Sequence, residues 1–377
     1  MSGGETPPLS LHFTALGVNP IPEGDTERHV GFVQPTLCIK RDNMDPKDKI
    51  DTDPYNAYTG QDTTLQNNDR VKAESQPDIS IRLNEDEGLE DLLYLFTGHY
   101  DTPVAAITGA TIAKKWKIYR DVSNPVELPW ATIVDAFNWG GGDADAWINA
   151  FANTIKISSS SDKAPVFEVG LWSDYRLSNQ DVPTRVFATD EFRFKANQCQ
   201  IFMGPAGTSE AALEADTYKV DCYTEQEFNA NNNMESKACG GATFGTVQKN
   251  RKPLTSDGSV KMDYNEKNRG LLAEYSTGSS DGVYVTEESV FKSLLIKFIG
   301  KKIETVSGTP ATDVHSSFAL YLPKVELTDV TSPRSGDATK DITVNYAVVS
   351  NAQVTQSPIQ FTLVTPADDI HWGTIPS

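Results

Sequence analysis

The residues that most often perform chemistry are scarce in this chain. Four cysteines and five histidines occur among 377 residues. Cys38, Cys199, Cys222 and Cys239 show no Cys-x-x-Cys spacing and have no cluster of histidines nearby, which removes the usual zinc patterns. Cys38 and Cys199 lie inside apolar, strand-like stretches and read as reduced core thiols, whereas a Cys222–Cys239 pair is left open by the sequence. Folding in a cytoplasm is the simplest reading of this usage. His12, His29, His99, His315 and His371 are scattered, without His-x-His or His-x-x-x-His spacing. Neither a zinc site nor a Ser-His-Asp arrangement is indicated. There is no run of eighteen apolar residues and no charged-then-apolar leader, so no membrane span or secretory signal is expected.

Positive charge is also short. Asp and Glu number 52 against 33 Lys and Arg, a net charge of −19. Residues 1–190 carry 29 acidic and 16 basic side chains, and residues 191–377 carry 23 and 17. Such a balance opposes wrapping nucleic acid by phosphate neutralisation, and the basic aromatic stripes of single-strand binders are missing. It suits solubility, or a surface past which a polyanion slides without sticking.

Three local patterns resemble functional motifs and fail on context. Gly278-Ser279-Ser280-Asp281-Gly282 matches a nucleophile elbow, but a helical pattern precedes it and a strand-like one follows, the reverse of what a strained serine turn requires. Asp45, Asp48, Asp51 and Asp53 lack the alternating oxygens, central glycine and closing glutamate of a calcium loop. Gly140-Gly141-Gly142 has no lysine at a phosphate-loop offset. No catalytic, cofactor-binding or metal-binding residues are therefore expected, and the chain does not read as an enzyme.

What is present is folded and repetitive. Hydrophobic residues at 38% and aromatics at 9% suit strand-rich globular structure, and the length suits two domains. Asp78 to Asn84 alternates like a strand and runs into a helical stripe of Leu89, Leu92, Leu93 and Phe96 that stops at Gly98. Asn84 is the expected cap, with Glu87 at the third helical position. Ser259 to Asn265 repeats the arrangement, followed by Leu271, Leu272, Tyr275 and Gly278, with Asn265 as cap and Asn268 in place of the glutamate. Each half then carries an alternating strand pair: Asn153–Ile157 with Val166–Trp172, and Pro323–Leu327 with Ile342–Val348. The strand around Leu37-Cys38-Ile39 has counterparts at Phe192-Arg193-Phe194 and Cys199–Phe202. The expected class is mainly β with minor helix. It comprises a flexible N-terminal arm over 1–28, then two tandem antiparallel β-sandwich or barrel domains over 29–190 and 191–377, each with a short flanking helix. Residues 42–77, polar and without apolar period, read as a loop far beyond the usual connection length, of the kind that is functional or disordered.

The order strand, long loop, strand, helix, strand pair resembles the tail tube (major tail) protein of long-tailed bacteriophages. The most specific stretch is Leu320 to Val349, which is similar to the final hairpin of that family. The resemblance implies a structural virion protein: six domains closing a ring around an inner barrel, rings stacking into a tube, and DNA passing through the lumen without specific binding. Two domains per chain imply trimeric rings of pseudo-sixfold symmetry, other tail proteins as further partners, synthesis in a host cytoplasm and location in the virion tail. It also implies inter-ring arms at 42–77 and 227–257, with Asp45, Asp48, Asp51, Asp53, Tyr55, Tyr58, Asn231, Asn232 and Asn233 as contact candidates, and the insertion 125–147 on the outer surface. Two other readings stand beside it. One is another self-assembling β-protein, such as a tail-tip or capsid-surface component. The other is a glycan-binding sandwich using Trp116, Trp130, Trp139, Trp147 and Trp172 as a stacking platform.

Overall fold

The computed structural model describes residues 13–21, 31–39, 43–55, 67–82, 88–121, 128–136, 143–173, 175–181, 194–234, 253–277, 289–308, 310–331, 341–349, 357–372 and 374–375. It is mainly β, with a large antiparallel sheet. The first part of the chain contributes β1 (Phe13–Val18), β2 (Leu37–Ile39), β3 (Asn43–Tyr55), β4 (Asn67–Arg82), helix α1 (Leu89–Thr97), β5 (His99–Ala105), β6 (Lys114–Tyr119), β7 (Ala131–Ala136), β8 (Asp143–Ser160), β9 (Lys163–Trp172) and β10 (Tyr175–Asp181). The rest contributes β11 (Cys199–Pro205), a one-turn α2 (Glu210–Leu213), β12 (Tyr223–Asn231), β13 (Thr255–Asp263), α3 (Glu266–Thr277), β14 (Phe291–Val306), β15 (Thr312–Thr331), β16 (Asp341–Val348) and β17 (Gln360–Thr365).

Alternation explains the strands that pack on one face. In β9 the side chains of Phe167, Val169 and Leu171 are buried while Glu168 is exposed; in β16 Ile342, Val344 and Tyr346 are buried. Both expected strand pairs form, β8 with β9 and β15 with β16. In β15 the alternation is lost from Phe318 to Pro323 because both faces are covered. Phe318 and Leu320 face the main core, while Ala319 and Tyr321 join Phe202, Leu213 and Leu295 in a second cluster.

Hydrogen bonding runs β3–β4–β9–β8–β12–β13–β16–β15–β14–β11, every neighbour antiparallel. A second branch, β17–β6–β5, leaves the same edge of β15 as β16 but nearer its N-terminal end. One contiguous core collects from both branches, including Trp116, Ile157, Phe167, Phe228, Phe298, Phe318, Tyr346 and Phe361. Phe194, Phe298, Phe318 and Phe361 form a ladder of tilted rings 5.9 to 6.2 Å apart. Among the described residues the expected boundary near residue 190 is crossed by the strand pairs β8 with β12 and β6 with β17.

Several local expectations are corrected. Phe13–Val18, placed in a flexible arm by its polar surroundings, is strand β1, paired with β2 and β7, with Leu16 and Val18 buried. Of the expected loop 42–77, residues 43–55 and 67–77 are strand instead: β3 and β4 pair from Asn43↔Ser80 to Tyr55↔Asn67, and residues 42 and 56–66 lie outside the described residues. The sequence hid this pairing because a ladder of backbone hydrogen bonds between two strands needs no apolar face. Helix α1 begins at Leu89 after Gly88 in a left-handed conformation, while Asn84 and Glu87 lie outside the described residues. The expected left-handed cap at Gly98 is present, its N–H donating to Tyr94 O at 2.8 Å. Instead of one buried stripe, every residue of α1 is buried, Glu90 and Asp91 included, because it packs against both β6 and β8. In α3 the expected cap forms, Asn268 N donating to Asn265 Oδ1 at 2.7 Å. Among the described residues no helix is long and apolar enough to cross a membrane.

Candidate functional site

The β3–β4 ribbon is the most distinctive element of the strand order. Residues 79–82 of β4 pair with β9, but among the described residues 43–55 and 67–78 pair only with each other. At the rise of a strand this ribbon extends roughly 40 Å. Four of the sequence's contact candidates face partners across it: Asp45 opposite Asp78, Asp48 opposite Ser75, Asp51 opposite Lys72 and Asp53 opposite Asp69. Tyr55 stands opposite Asn67 at its outer end, and Tyr58 lies outside the described residues. The registers of Pro46 with Pro77 and of Asp45 with Asp78 place poor ladder formers and like charges opposite one another. Both weaken the ribbon as an isolated object.

The asparagine candidates sit elsewhere, where β12 ends, and they work inside the fold. Asn231 Oδ1 accepts from Asn233 N at 2.7 Å, and Asn233 Nδ2 donates to Pro253 O at 2.8 Å. Asn232 is fully buried. Its Nδ2 donates to Phe96 O and Ala152 O, both at 3.0 Å, tying the end of α1 to β8. Phe96 O is one of the carbonyls that a helix C-terminus leaves without an intrahelical partner. The ladder is irregular between Ala152 and Thr154, where β8 passes β9. The rest of the expected second arm is divided: 227–231 and 255–257 are paired within the β12–β13 hairpin, and 235–252 lie outside the described residues.

A buried cluster of titratable groups appears where the sequence predicted none. Glu90 and Asp91, in the first turn of α1, meet His371 from the C-terminal segment. His371 N donates to Asp91 Oδ1 at 2.8 Å, and His371 Nδ1 lies 2.8 Å from Asp91 Oδ2. Gly88 N donates to Glu90 Oε1 at 3.0 Å, while Glu90 Oε2 is buried without a hydrogen-bond partner among the described residues. Burial, followed by the neighbouring Asp91 charge, raises the Glu90 carboxyl to about 8; the Gly88 N–H and His371 act against this rise. The cluster fastens a strap. Val18 N donates to His371 O at 3.1 Å, Trp116 Nε1 to Ala367 O at 3.0 Å and Thr36 Oγ1 to Trp372 O at 3.1 Å. The Trp372 ring meets Tyr94 edge-on at 6.1 Å. The 280 residues separating Asp91 from His371 hid this site from motif reading.

The remaining sequence candidates resolve simply. Gly278–Gly282 and Gly140–Gly142 lie outside the described residues, as does Cys239. Cys199 is buried, its thiol pushed up to about 12 by desolvation, and Cys222 is exposed. Trp116 and Trp147 are buried in the main core, and Trp130 and Trp172 pack beside Phe151, Leu128 and Met234. Trp139 lies outside the described residues. An exposed stacking platform is not assembled from these four. No protein-family model matches the sequence, and no curated protein matches it.

Proposed function

We propose that the chain is a tail tube protein: a structural virion component that polymerises into stacked rings through which phage DNA is delivered. The observation that carries this reading is the β3–β4 ribbon. A two-stranded hairpin standing clear of a sheet is marginally stable in water and gains stability by adding its free edges to another chain. Antiparallel β architecture and the β15–β16 hairpin, which occupies the stretch most similar to the tail tube family, support it further. In this reading residues 29–190 and 191–377 are two tube-like sandwich or barrel units, flanked by α1 and α3, and three chains close a ring. The pairings β8–β12 and β6–β17 would make the two units of one chain a continuous wall segment. A heterologous contact that closes by rotation yields such a ring. The net charge of −19 suits a lumen that DNA crosses without adhering. No catalytic step and no cofactor are part of the proposal.

The ribbon is the inter-ring arm in this account. Deleting residues 42–77 should leave far-ultraviolet circular dichroism of a β protein intact while abolishing sedimentable assemblies. Assemblies that still grow from the deletion variant would remove the ribbon from the mechanism.

A further inference from the structure

We propose that Glu90, Asp91 and His371 form a binding site for one divalent transition-metal ion of the zinc class, which staples the C-terminal segment to α1. The inference does not rest on the tube reading. One ligand-capable atom from each residue lies within 4.8 Å of the others. Both carboxylates are fully buried, a placement that is costly unless charge is balanced. His371 serves Asp91, while Glu90 Oε2 is enclosed with no hydrogen-bond partner among the described residues, which makes it the oxygen available to a cation.

The donor set narrows the ligand. Two carboxylate oxygens and one imidazole nitrogen suit zinc or manganese better than magnesium or calcium, which prefer all-oxygen shells. Around a tetrahedral zinc with bonds of about 2.1 Å, ligand atoms stand about 3.4 Å apart. The 2.8 Å His371–Asp91 contact is then the proton-filled form of the same arrangement. Binding the metal releases that proton, together with the proton of the Glu90 carboxyl, to solvent and spreads the pair by about half an ångström. The His371 side chain is 22% exposed, so the cluster is reached from solvent on the histidine side. Its backbone is already fixed at both ends, N–H on Asp91 and C=O on Val18 N, so little ordering remains to be done on binding.

The test uses the full chain, stripped with a chelator and then titrated with zinc chloride while thermal unfolding and binding heat are followed. At a zinc concentration a hundred times the dissociation constant, linkage gives about 2.7 kcal/mol. For a chain of this length that corresponds to a rise in Tm of roughly 3 °C. Glu90→Gln and His371→Ala should each abolish the rise and the binding heat; if one variant fails to fold, the other carries the comparison. Wild-type protein that shows neither a Tm rise nor binding heat would mean that Glu90 is simply a buried protonated acid, and would overturn the proposal. A response that survives the substitutions would overturn it equally, by placing the zinc elsewhere.

Discussion

Replacing Asn232 with alanine separates two roles that sequence and structure assign to it. As an inter-ring contact, Asn232 would be dispensable for folding and needed for assembly. In the structure its amide instead donates two buried hydrogen bonds of 3.0 Å, to Phe96 O at the end of α1 and to Ala152 O in β8. Removing the amide takes a buried donor from each of the two carbonyls, at about 1–3 kcal/mol each. Part of this is offset, because Asn232 Oδ1, which has no hydrogen-bond partner among the described residues, is removed as well. The net cost is about 2–4 kcal/mol, a large share of the typical stability of about 5–15 kcal/mol. With an unfolding entropy of roughly 2.1 cal/mol/K per residue, the thermal midpoint should fall by about 3–5 °C. Differential scanning calorimetry on Asn232→Ala and on wild type reads this directly, with Asn233→Ala as a control whose side-chain bonds are exposed. A variant with the wild-type midpoint that no longer assembles would refute the internal role and restore the contact role.

Three further contacts set measurable outcomes. Gly258→Ala would put a Cβ 2.2 Å from Glu227 O and 2.4 Å from Tyr346 Oη, breaking the 3.2 Å bond by which Tyr346 spans β13. Overpacking of this kind costs about 1–3 kcal/mol, and an unchanged urea midpoint would contradict it. Native protein treated with a thiol reagent should be modified at Cys222 and not at Cys199, whose thiol is buried and pushed up to about 12; mass-spectrometric labelling of Cys199 under native conditions would show the core to be open. Glu304 accepts backbone N–H groups from Ala113 at 2.7 Å, Ile112 at 3.0 Å and Thr111 at 3.2 Å, and the Ala113 bond leads in holding its carboxyl below the ordinary value of 4.5. A depressed carboxyl stabilises the fold above its ordinary value and loses that contribution as pH falls through the folded value. Glu304→Gln should therefore accelerate amide exchange at Thr111–Ala113 at neutral pH, and the difference should vanish in acid; equal exchange at neutral pH would count against it.

Particular elements show how much of this architecture sequence could carry. The strand pairs β8–β9 and β15–β16 were legible because alternating burial leaves a period of two in Phe167, Val169, Leu171 and in Ile342, Val344, Tyr346. The caps at Gly98 and Asn265 were legible because left-handed backbone and unpaired N–H groups each select a small set of residues. The ribbon was not: its stability comes from backbone pairing, and its prolines and acids resemble a loop. The all-round burial of α1 was hidden by Glu90 and Asp91, which local hydrophobicity assigns to solvent. Their contact with His371 depends on how the last segment crosses β1 and α1, a long-range placement that no local spacing encodes.

The central claim is assembly, and electron microscopy of concentrated full-length protein tests it most directly. The account predicts rings and stacked tubes whose end-on views show three chains arranged as six lobes. Particles that remain single chains at every concentration would contradict it.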